Sequence, residues 1–197
     1  NRPAAFVVFI FAACGAGLAL RLPHLDLRPV HVDEAVHADK YNTLWTSGRY
    51  DYDPAEYHGP TLYYFTLPAV CLSGVPDFAH TDAATFRMVT VVFGAGLILL
   101  LLLVADGLGR PATTCAALLA AISPALVYYS RYYIQESLLV LFTLLVIAAG
   151  WRYVQTRHWS WAILAGAGVG LIHATKETCV IALGCMTAAL LLTVLWQ

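Results

Sequence analysis

His31-Val32-Asp33-Glu34-Ala35-Val36-His37 is the polar stretch around which the chain is organised, because it opens a long hydrophilic segment directly after the first apolar run. Adjacent carboxylates flanked by histidines are costly to place beside a bilayer unless they bind something there. Ionisable residues at membrane depth are therefore interpreted as functional by default. This stretch is the candidate active-site loop of the protein.

The composition outside this stretch is that of an integral membrane protein. Of the 197 residues, 60% are hydrophobic and 12% are charged, against roughly 25% charged residues in soluble domains. The formal net charge of -1 supplies no basic surface, so nucleic acid is excluded as an expected partner. The five cysteines all lie in apolar runs without a CxxC pair, and we interpret them as small packing residues.

The apolar runs define the predicted architecture. A membrane-spanning helix needs roughly 17 to 25 mostly apolar residues, and the run at 159–173 adds glycines that let helices approach closely. We expect an all-α fold, a polytopic membrane helical bundle with about six transmembrane helices. The predicted spans are 4–20, 88–105, 111–129, 137–154, 159–173 and 178–196.

The two ends of the sequence carry further expectations. The run 4–20 could serve as the core of a secretory signal, but its flank at 21–24 lacks a small-residue cleavage site, which favours a retained anchor. The chain starts at Asn1, and its last apolar run stops at Gln197 without a polar tail. We therefore expect the N-terminal part of a longer protein.

Residues 21–87 form a segment too long for a tight turn and too polar for the membrane core. The composition at 35–45 is helical, whereas 47–54 is rich in turn residues. The run 61–75 is apolar but short and contains Pro68, which predicts a juxtamembrane or re-entrant helix instead of a span. The loop is thus a small subdomain with juxtamembrane helices at about 35–45 and 61–75.

The charges of the short loops indicate the orientation. If 61–75 does not cross, Arg110 and the pair in 152–157 lie on the same face as Arg2, and the positive-inside rule places that face in the cytoplasm. The unusually placed ionisable residues then converge on the opposite, extracytoplasmic face. That face receives 21–87, 130–136 and 173–177.

Asp33 and Glu34 are the first candidate acids. Neighbouring carboxylates cannot both point the same way from regular secondary structure, so one could face the reacting centre while the other orients a neighbour. A carboxylate at a membrane surface can accept a proton from a hydroxyl nucleophile or help hold a divalent cation. The alternative is that Asp33 only caps a helix beginning near Ala35.

Three histidines accompany these acids. His31, His37 and His58 together with the two carboxylates permit a metal site. Their spacings match no zinc pattern, and His37 lies where a plain hydrogen bond to either acid is equally possible. The sequence therefore allows a divalent cation and demands no cofactor.

Two short turns carry the remaining candidates. Arg131 offers a fork of donors for phosphate or carboxylate, and Glu136, at the head of a span, needs a partner. Lys176 is a point charge suited to an anionic head group, with Glu177 beside it. The structural alternatives are a tyrosine belt with a snorkelling arginine, and an internal ion pair.

The order of four short strings resembles the N-terminal half of the GT-C membrane glycosyltransferases, in particular the protein O-mannosyltransferase and aminoarabinose-transferase group. A narrower similarity is to a prokaryotic branch often labelled flippase-associated in archaeal N-glycosylation. The resemblance covers essentially the whole chain. The strings are His31–His37, Tyr57-His-Gly-Pro-Thr-Leu-Tyr-Tyr64, Tyr133-Ile-Gln-Glu136 and Ala174-Thr-Lys-Glu177.

The resemblance implies an inverting hexosyl- or pentosyltransferase of the prokaryotic plasma membrane. It would move a sugar from a polyprenyl-phosphate-linked donor to an acceptor hydroxyl on the extracytoplasmic face. Asp33 would be the acid–base residue, with Glu34 and Glu136 as supporting acids. The substrate-binding residues would be His31, His37, His58, Arg131, Lys176 and Glu177.

The sequence departs from that family at two positions. Many relatives carry Asp where this chain has Glu136, and His58-Gly59-Pro60 stands in place of a Lys-Pro-Pro element. The contact to the donor phosphate that such a lysine makes would then come from Lys176, Arg131 or His58.

Two other classes of function stay open. A flippase component for lipid-linked oligosaccharides, or another transporter, needs interrupted spans and ionisable residues at mid-membrane. A non-catalytic scaffold would use the polar loop only to bind a partner. Besides the donor, the expected partner is membrane lipid, and the sequence does not determine the sugar, the acceptor or the oligomeric state.

Overall fold

The computed structural model describes residues 2–55 and 58–196, which form a bundle of α-helices. This confirms the all-α membrane class. Asn1, Glu56, Tyr57 and Gln197 lie outside the described residues, and with them both chain ends and the first residue of the 57–64 string. In chain order the helices are α1 (Arg2–Arg21), α2 (Val32–Ser47), α3 (Thr61–Ser73), α4 (Ala83–Leu100), α5 (Ala105–Leu108), α6 (Arg110–Ile122), α7 (Pro124–Ser130), α8 (Glu136–Thr156), α9 (Trp159–His173) and α10 (Cys179–Trp196).

The long apolar helices supply the membrane-spanning part. Within the described ranges, four helices are long and apolar enough to cross a bilayer, and a fifth span results if the bent pair α6 and α7 counts as one. The helix α9 has 15 residues, fewer than the roughly 17 needed for a crossing. The six-helix count therefore stays a prediction. The four spans are Ala4–Arg21, Ala83–Leu108, Glu136–Thr156 and Cys179–Trp196.

Two buried clusters hold the bundle together. One cluster joins α1, α4 and α6 through residues such as Ile10 and Ile98, and the other joins the polar loop to α4 and α8 around Tyr133. The helices α8 and α9 pack so closely that a Cβ added at Gly168 would lie 2.8 Å from a methyl group of Val146. Of the three glycines in α9, this is the one that makes the close approach predicted from the sequence.

The run predicted as a single span at 111–129 is broken in the middle. Pro124 lacks the N–H that the Ala120 carbonyl would accept, so α6 ends at Ile122 and α7 departs at 56°. The guanidinium of Arg21 replaces the lost donor, with bonds of 2.8 Å to the Ala120 carbonyl and 2.9 Å to that of Ala121. Non-helical backbone at membrane depth is tolerated where protein groups satisfy it in this way.

The polar loop begins with a capped helix. The His31 imidazole accepts a bond of 3.3 Å from the Asp33 N–H, and the Glu34 carboxylate accepts one of 3.1 Å from the His31 N–H. This reciprocal arrangement is a capping box, so α2 starts at Val32 and not near Ala35. The hypothesis that Asp33 caps the helix is therefore wrong, because the cap is His31.

The three polar segments meet at one end of the bundle. The Gln135 side chain donates to the Gly59 carbonyl at 3.1 Å, and the Gly59 N–H donates to the Thr175 carbonyl at 3.1 Å. A Cβ added at Gly59 would collide with the Ala174 carbonyl, so this close approach requires glycine. The loop and both short turns thus share one surface, as the convergence argument predicts.

Candidate active site

Asp33 is the exposed acid of this polar end. As the second residue of α2 it points away from the bundle, and 59% of its side chain is accessible. Its carboxylate lies 3.4 Å from His31 Nδ1 and accepts a hydrogen bond of 3.2 Å from the Tyr132 hydroxyl. The Tyr132 hydroxyl therefore orients the carboxylate, which is still open to a substrate.

Tyr132 donates to this acid and keeps its proton. Burial and the negative charge of Asp33 raise the pKa of Tyr132 to about 12. The phenol is thus a neutral donor at ordinary pH, and it fixes one carboxylate oxygen without neutralising it. Tyr132 also packs edge-on against the His31 ring, with centroids 5.5 Å apart.

Glu34 points the other way and is 3% exposed. Its carboxylate receives Arg87 Nε at 2.8 Å and Arg87 Nη2 at 2.7 Å, and the backbone N–H of Tyr133 at 3.0 Å. Burial alone would raise the pKa of Glu34, but these donors and the cap bond from His31 lower it below its usual value. Glu34 is held ionised with its lone pairs occupied, which suits a positioning role.

Arg87 extends this pairing to the start of the loop. Its guanidinium also donates to the carbonyls of Arg28 at 2.9 Å and Pro29 at 3.2 Å. Since Arg87 belongs to α4 and Glu34 to α2, the pair fixes the segment before Asp33 to the membrane bundle. Charge-assisted bidentate pairs of this kind combine strength with a fixed geometry.

His37 is buried, and the half-buried His58 packs against it. His37 is 5% exposed, its Nδ1 lies 3.0 Å from the Tyr63 hydroxyl, and its ring is edge-on to His58 at 5.0 Å. Burial and the neighbouring His58 lower the pKa of His37 to about 4, against opposing effects of Glu136 and Asp33. The imidazole is therefore neutral at ordinary pH, and it lies within electrostatic range of both acids.

Glu136 and Lys176 form the second ion pair of the site, after Glu34 and Arg87. The Lys176 ammonium lies 2.8 Å from the Glu136 carboxylate, and their side chains are 20% and 37% exposed. The backbone of Lys176 forms an isolated bridge with His58. The partner that Glu136 needs is thus Lys176, which also lies close enough to His37 to lower its pKa.

Two predicted binding residues point elsewhere. Arg131 donates to the carbonyls of Leu20 at 3.0 Å and His24 at 3.2 Å, so it secures the end of α1. The Glu177 side chain is exposed, with no hydrogen bond or ion pair to the rest of the described chain. Neither residue is drawn into the group around Asp33, and their substrate contacts stay predictions.

Arg28 is a cation of this site that the sequence analysis missed. Its guanidinium lies 4.6 Å from the Tyr132 ring centroid and 5.2 Å from that of Tyr128, and 3.2 Å from the Glu34 carboxylate. Its position five residues before Asp33 is the signal that could have drawn attention to it. The stacking tyrosines come from a turn about a hundred positions later, which no local pattern reveals.

The acids and histidines of the site are also the side-chain types that hold metal ions in proteins. No group of three or more His, Cys, Asp or Glu side chains in residues 2–55 and 58–196 is arranged to hold a metal ion. The polar atoms of His31, Asp33 and Glu34 instead bond to each other and to arginine or tyrosine. The cysteines, another class of possible ligand, are free and lie in the helices.

The arrangement combines an open carboxylate with nearby cations. Asp33 can take a proton from a hydroxyl group, because it is an exposed carboxylate that is held by the neutral Tyr132 hydroxyl. Arg28 and Lys176 are part-exposed cations on the same surface, suited to an anionic group. Together, the carboxylate and the two cations suit a displacement reaction that has a hydroxyl nucleophile and an anionic leaving group.

Comparison with known protein families gives a match over most of the chain. A family model described as dolichyl-phosphate-mannose-protein mannosyltransferase matches residues 58–197. The matched range includes His58, Arg131, Glu136 and Lys176, and it begins after Asp33. No curated protein matches the chain.

Proposed function

Because the chain belongs to the dolichyl-phosphate-mannose-protein mannosyltransferase family, we propose that it transfers a sugar from a polyprenyl-phosphate donor to an acceptor hydroxyl. Family membership makes it a membrane glycosyltransferase of the kind that uses lipid-linked donors. The proposal adds that transfer inverts the anomeric centre and takes place at the end of the bundle that holds Asp33. That end would be the extracytoplasmic face of a prokaryotic plasma membrane.

The observation that supports this proposal best is that the adjacent carboxylates of Asp33 and Glu34 lie in different environments. Glu34 is enclosed by Arg87 and backbone N–H groups, whereas Asp33 is open and is oriented by Tyr132. A general base needs access to the hydroxyl it deprotonates and a fixed direction towards it. Of the pair, Asp33 meets both conditions.

The proposed reaction is a single displacement at the anomeric carbon. The acceptor oxygen forms the new glycosidic bond while its proton passes to Asp33. The bond from the anomeric carbon to the phosphate oxygen breaks, and its electron pair leaves with the polyprenyl phosphate. Because that leaving group is a stable anion, it needs nearby positive charge more than it needs a proton. Arg28 and Lys176 are the cations that we assign to this task.

The other polar residues would position these groups. Glu34 and Arg87 hold the start of α2, and thereby the direction of Asp33. Glu136 holds Lys176 through its ion pair. The buried His37 and the half-buried His58, whose rings are in contact, would pack against the acceptor and the sugar.

The test is the Asp33→Asn variant of the full-length protein in membranes. We expect the rate of sugar transfer from a polyprenyl-phosphate donor to fall by about 10²- to 10⁴-fold, the usual contribution of a general base. Asp39→Asn is the matched control, since Asp39 is an exposed acid of the same helix whose side chain makes no hydrogen bond to the described chain. We expect this control to keep wild-type activity.

Equal activity of the Asp33→Asn and wild-type proteins would remove Asp33 from the mechanism. Translocation of a lipid-linked sugar by the wild-type protein, with no glycosidic product formed, would instead indicate a transporter. Both readouts use the same membranes, so they separate the role of one residue from the class of function.

The proposed side of the membrane has its own test. In a background with Cys71, Cys115 and Cys185 changed to Ser, Glu177→Cys should react with a membrane-impermeant thiol reagent in intact cells. Arg157→Cys, at the opposite end of the bundle, should react only after the cells are opened. The reverse pattern would place the Asp33 end in the cytoplasm.

A further inference from the structure

A partly polar cavity lies at the end of the bundle opposite Asp33. It has a volume of about 530 Å³ and opens between α1, the segment that follows α4 and includes α5, the start of α6, and α8. Its apolar lining includes Phe6, Val7 and Leu102. Its polar lining consists of Asp106, Arg110 and Arg152. The cavity is therefore amphipathic, because its lining combines these apolar side chains with three charged ones. We call the three charged residues the rim of the cavity.

The lining residues place this cavity at the boundary between hydrocarbon and water. Phe6 and Val7 belong to the first turns of the span Ala4–Arg21, and Leu102 lies near the end of Ala83–Leu108. Arg152 lies one turn before the end of the span Glu136–Thr156. Ends of spans are the level at which lipid head groups meet acyl chains.

Two hydrogen bonds to Asp106 fix one side of the rim. Asp106 accepts Arg152 Nη1 at 2.9 Å on one carboxylate oxygen and Trp151 Nε1 at 3.0 Å on the other. Trp151 lies directly on Gly107, where an added Cβ would come within 2.8 Å of its ring. The guanidinium of Arg152 is thus held in place while 30% of its side chain stays exposed.

The other side of the rim carries a cation without an anionic partner. Arg110 is exposed and has no ion pair with any part of the chain that the structure describes; its guanidinium lies 6.0 Å from the Phe6 ring centroid. With Arg110 and Arg152 against Asp106, the lining has a net charge of +1. The rim therefore attracts an anionic group.

We propose that this cavity binds the head group of an anionic phospholipid, with its phosphate between Arg110 and Arg152. The planar guanidinium fork matches phosphate oxygens in two-point contacts, and an acyl chain can lie along Phe6, Val7 and Leu102. Basic pockets between transmembrane helices are recognised places for such head groups. The site is separate from the donor site of the proposed reaction, which lies at the other end.

The experiment compares lipids that stay bound to the purified full-length protein in native mass spectrometry. We expect phosphatidylglycerol to be retained in preference to phosphatidylcholine. Arg110→Gln should weaken phosphatidylglycerol retention about fivefold, the factor that corresponds to about 1 kcal/mol per arginine near an anionic surface. Ala105→Phe, which fills the cavity without a change of charge, should weaken it similarly.

Arg157→Gln is the matched control, because it removes one exposed arginine at the same end but outside the cavity lining. We expect it to retain phosphatidylglycerol like the wild type. An equal loss in Arg157→Gln, or no preference for phosphatidylglycerol in the wild type, would overturn the proposal. Unchanged retention in Ala105→Phe would also overturn it, since the lipid would then bind outside the cavity.

Discussion

Arg21 and Arg87 are both 1% exposed, yet they are buried in two chemically different ways. Arg87 faces a carboxylate, that of Glu34, at 2.7 and 2.8 Å. Arg21 faces only uncharged acceptors, namely backbone carbonyls and the Ser130 hydroxyl. A guanidinium can evidently be buried with or without a counter-ion, provided that its N–H groups are satisfied.

The difference in acceptors shows that the two arginines have different structural roles. At Arg87 the charge itself is paired, and the pair attaches the loop with Asp33 to the bundle. At Arg21 the donors matter, because they close the carbonyls that Pro124 leaves open between α6 and α7. The two regions should therefore respond differently to mutation and to acid.

Arg87→Met should cause the largest loss of stability. The substitution keeps a long side chain but leaves the Glu34 carboxylate buried without its main partner, which typically costs about 3–5 kcal/mol. The measurement is the thermal unfolding of the purified protein in detergent. Arg152→Gln breaks a part-exposed pair at the other end and should cost only about 0–1 kcal/mol. Equal effects of the two variants would refute a decisive role for the Glu34–Arg87 pair.

Acid should destabilise the Arg87 region through His37. Because burial lowers the pKa of His37 from 6.5 to about 4, the unfolded chain binds a proton more readily than the folded one. The stabilisation is complete above pH 6.5 and is lost as the pH falls towards 4, by about 3 kcal/mol. Unfolding measured across this window should show the slope, and His37→Gln should flatten it.

A second loss is expected at lower pH in the same region. The pKa of Glu34 is lowered from 4.5, so its stabilisation is present above that value and disappears as the pH falls through the folded pKa. If the free energy of unfolding of His37→Gln still falls between pH 6.5 and 4, the loss of stability in this pH range does not come from His37.

Arg21→Met should cost about 2 kcal/mol, less than the matched substitution at Arg87. It leaves the carbonyls of Ala120 and Ala121 without their donor, at about 1–3 kcal/mol for an unsatisfied buried group, but it leaves no charge unpaired. The same unfolding assay compares the two methionine variants directly. A larger loss for Arg21→Met would show that the counter-ion is not what distinguishes the two regions.

Ser130→Ala should have the smallest effect, about 1 kcal/mol. It removes the hydroxyl that accepts Arg21 Nε at 2.8 Å, while the three carbonyl bonds of Arg21 stay intact. A loss as large as that of Arg21→Met would mean that the serine, and not the carbonyls, is the main acceptor. Unfolding of both variants at one pH decides between these outcomes.

Much of the fold follows from local pattern. The apolar runs lead to the long helices, and the short run with Pro68 forms α3, within two residues of its predicted end. The start of α2 was predicted three residues late, because His31 is an unusual cap and Asp33 has the side chain that normally does this task. Local chemistry of this kind is predictable only when the commonest solution is the one used.

The partners within the candidate site could not be predicted, because they are distant in sequence. Glu34 meets Arg87 53 positions later, and Tyr132 reaches Asp33 across 99 positions. The sequence could identify the acids and their shared end of the bundle from the order of spans. Which of the two acids is enclosed depends on side chains that only the folded chain brings together.

The contacts of Arg21 also bear on the order in which the protein is built. Its acceptors Ala120, Ala121 and Ser130 follow it by 99 to 109 positions. During synthesis the first helix therefore reaches the membrane with a guanidinium whose only partner in this set of bonds is the Gly17 carbonyl of the same helix, and a charge in hydrocarbon is costly. The C-terminal end of α1 can settle only when α6 and α7 arrive. The helix that is made first is among the last to be completed.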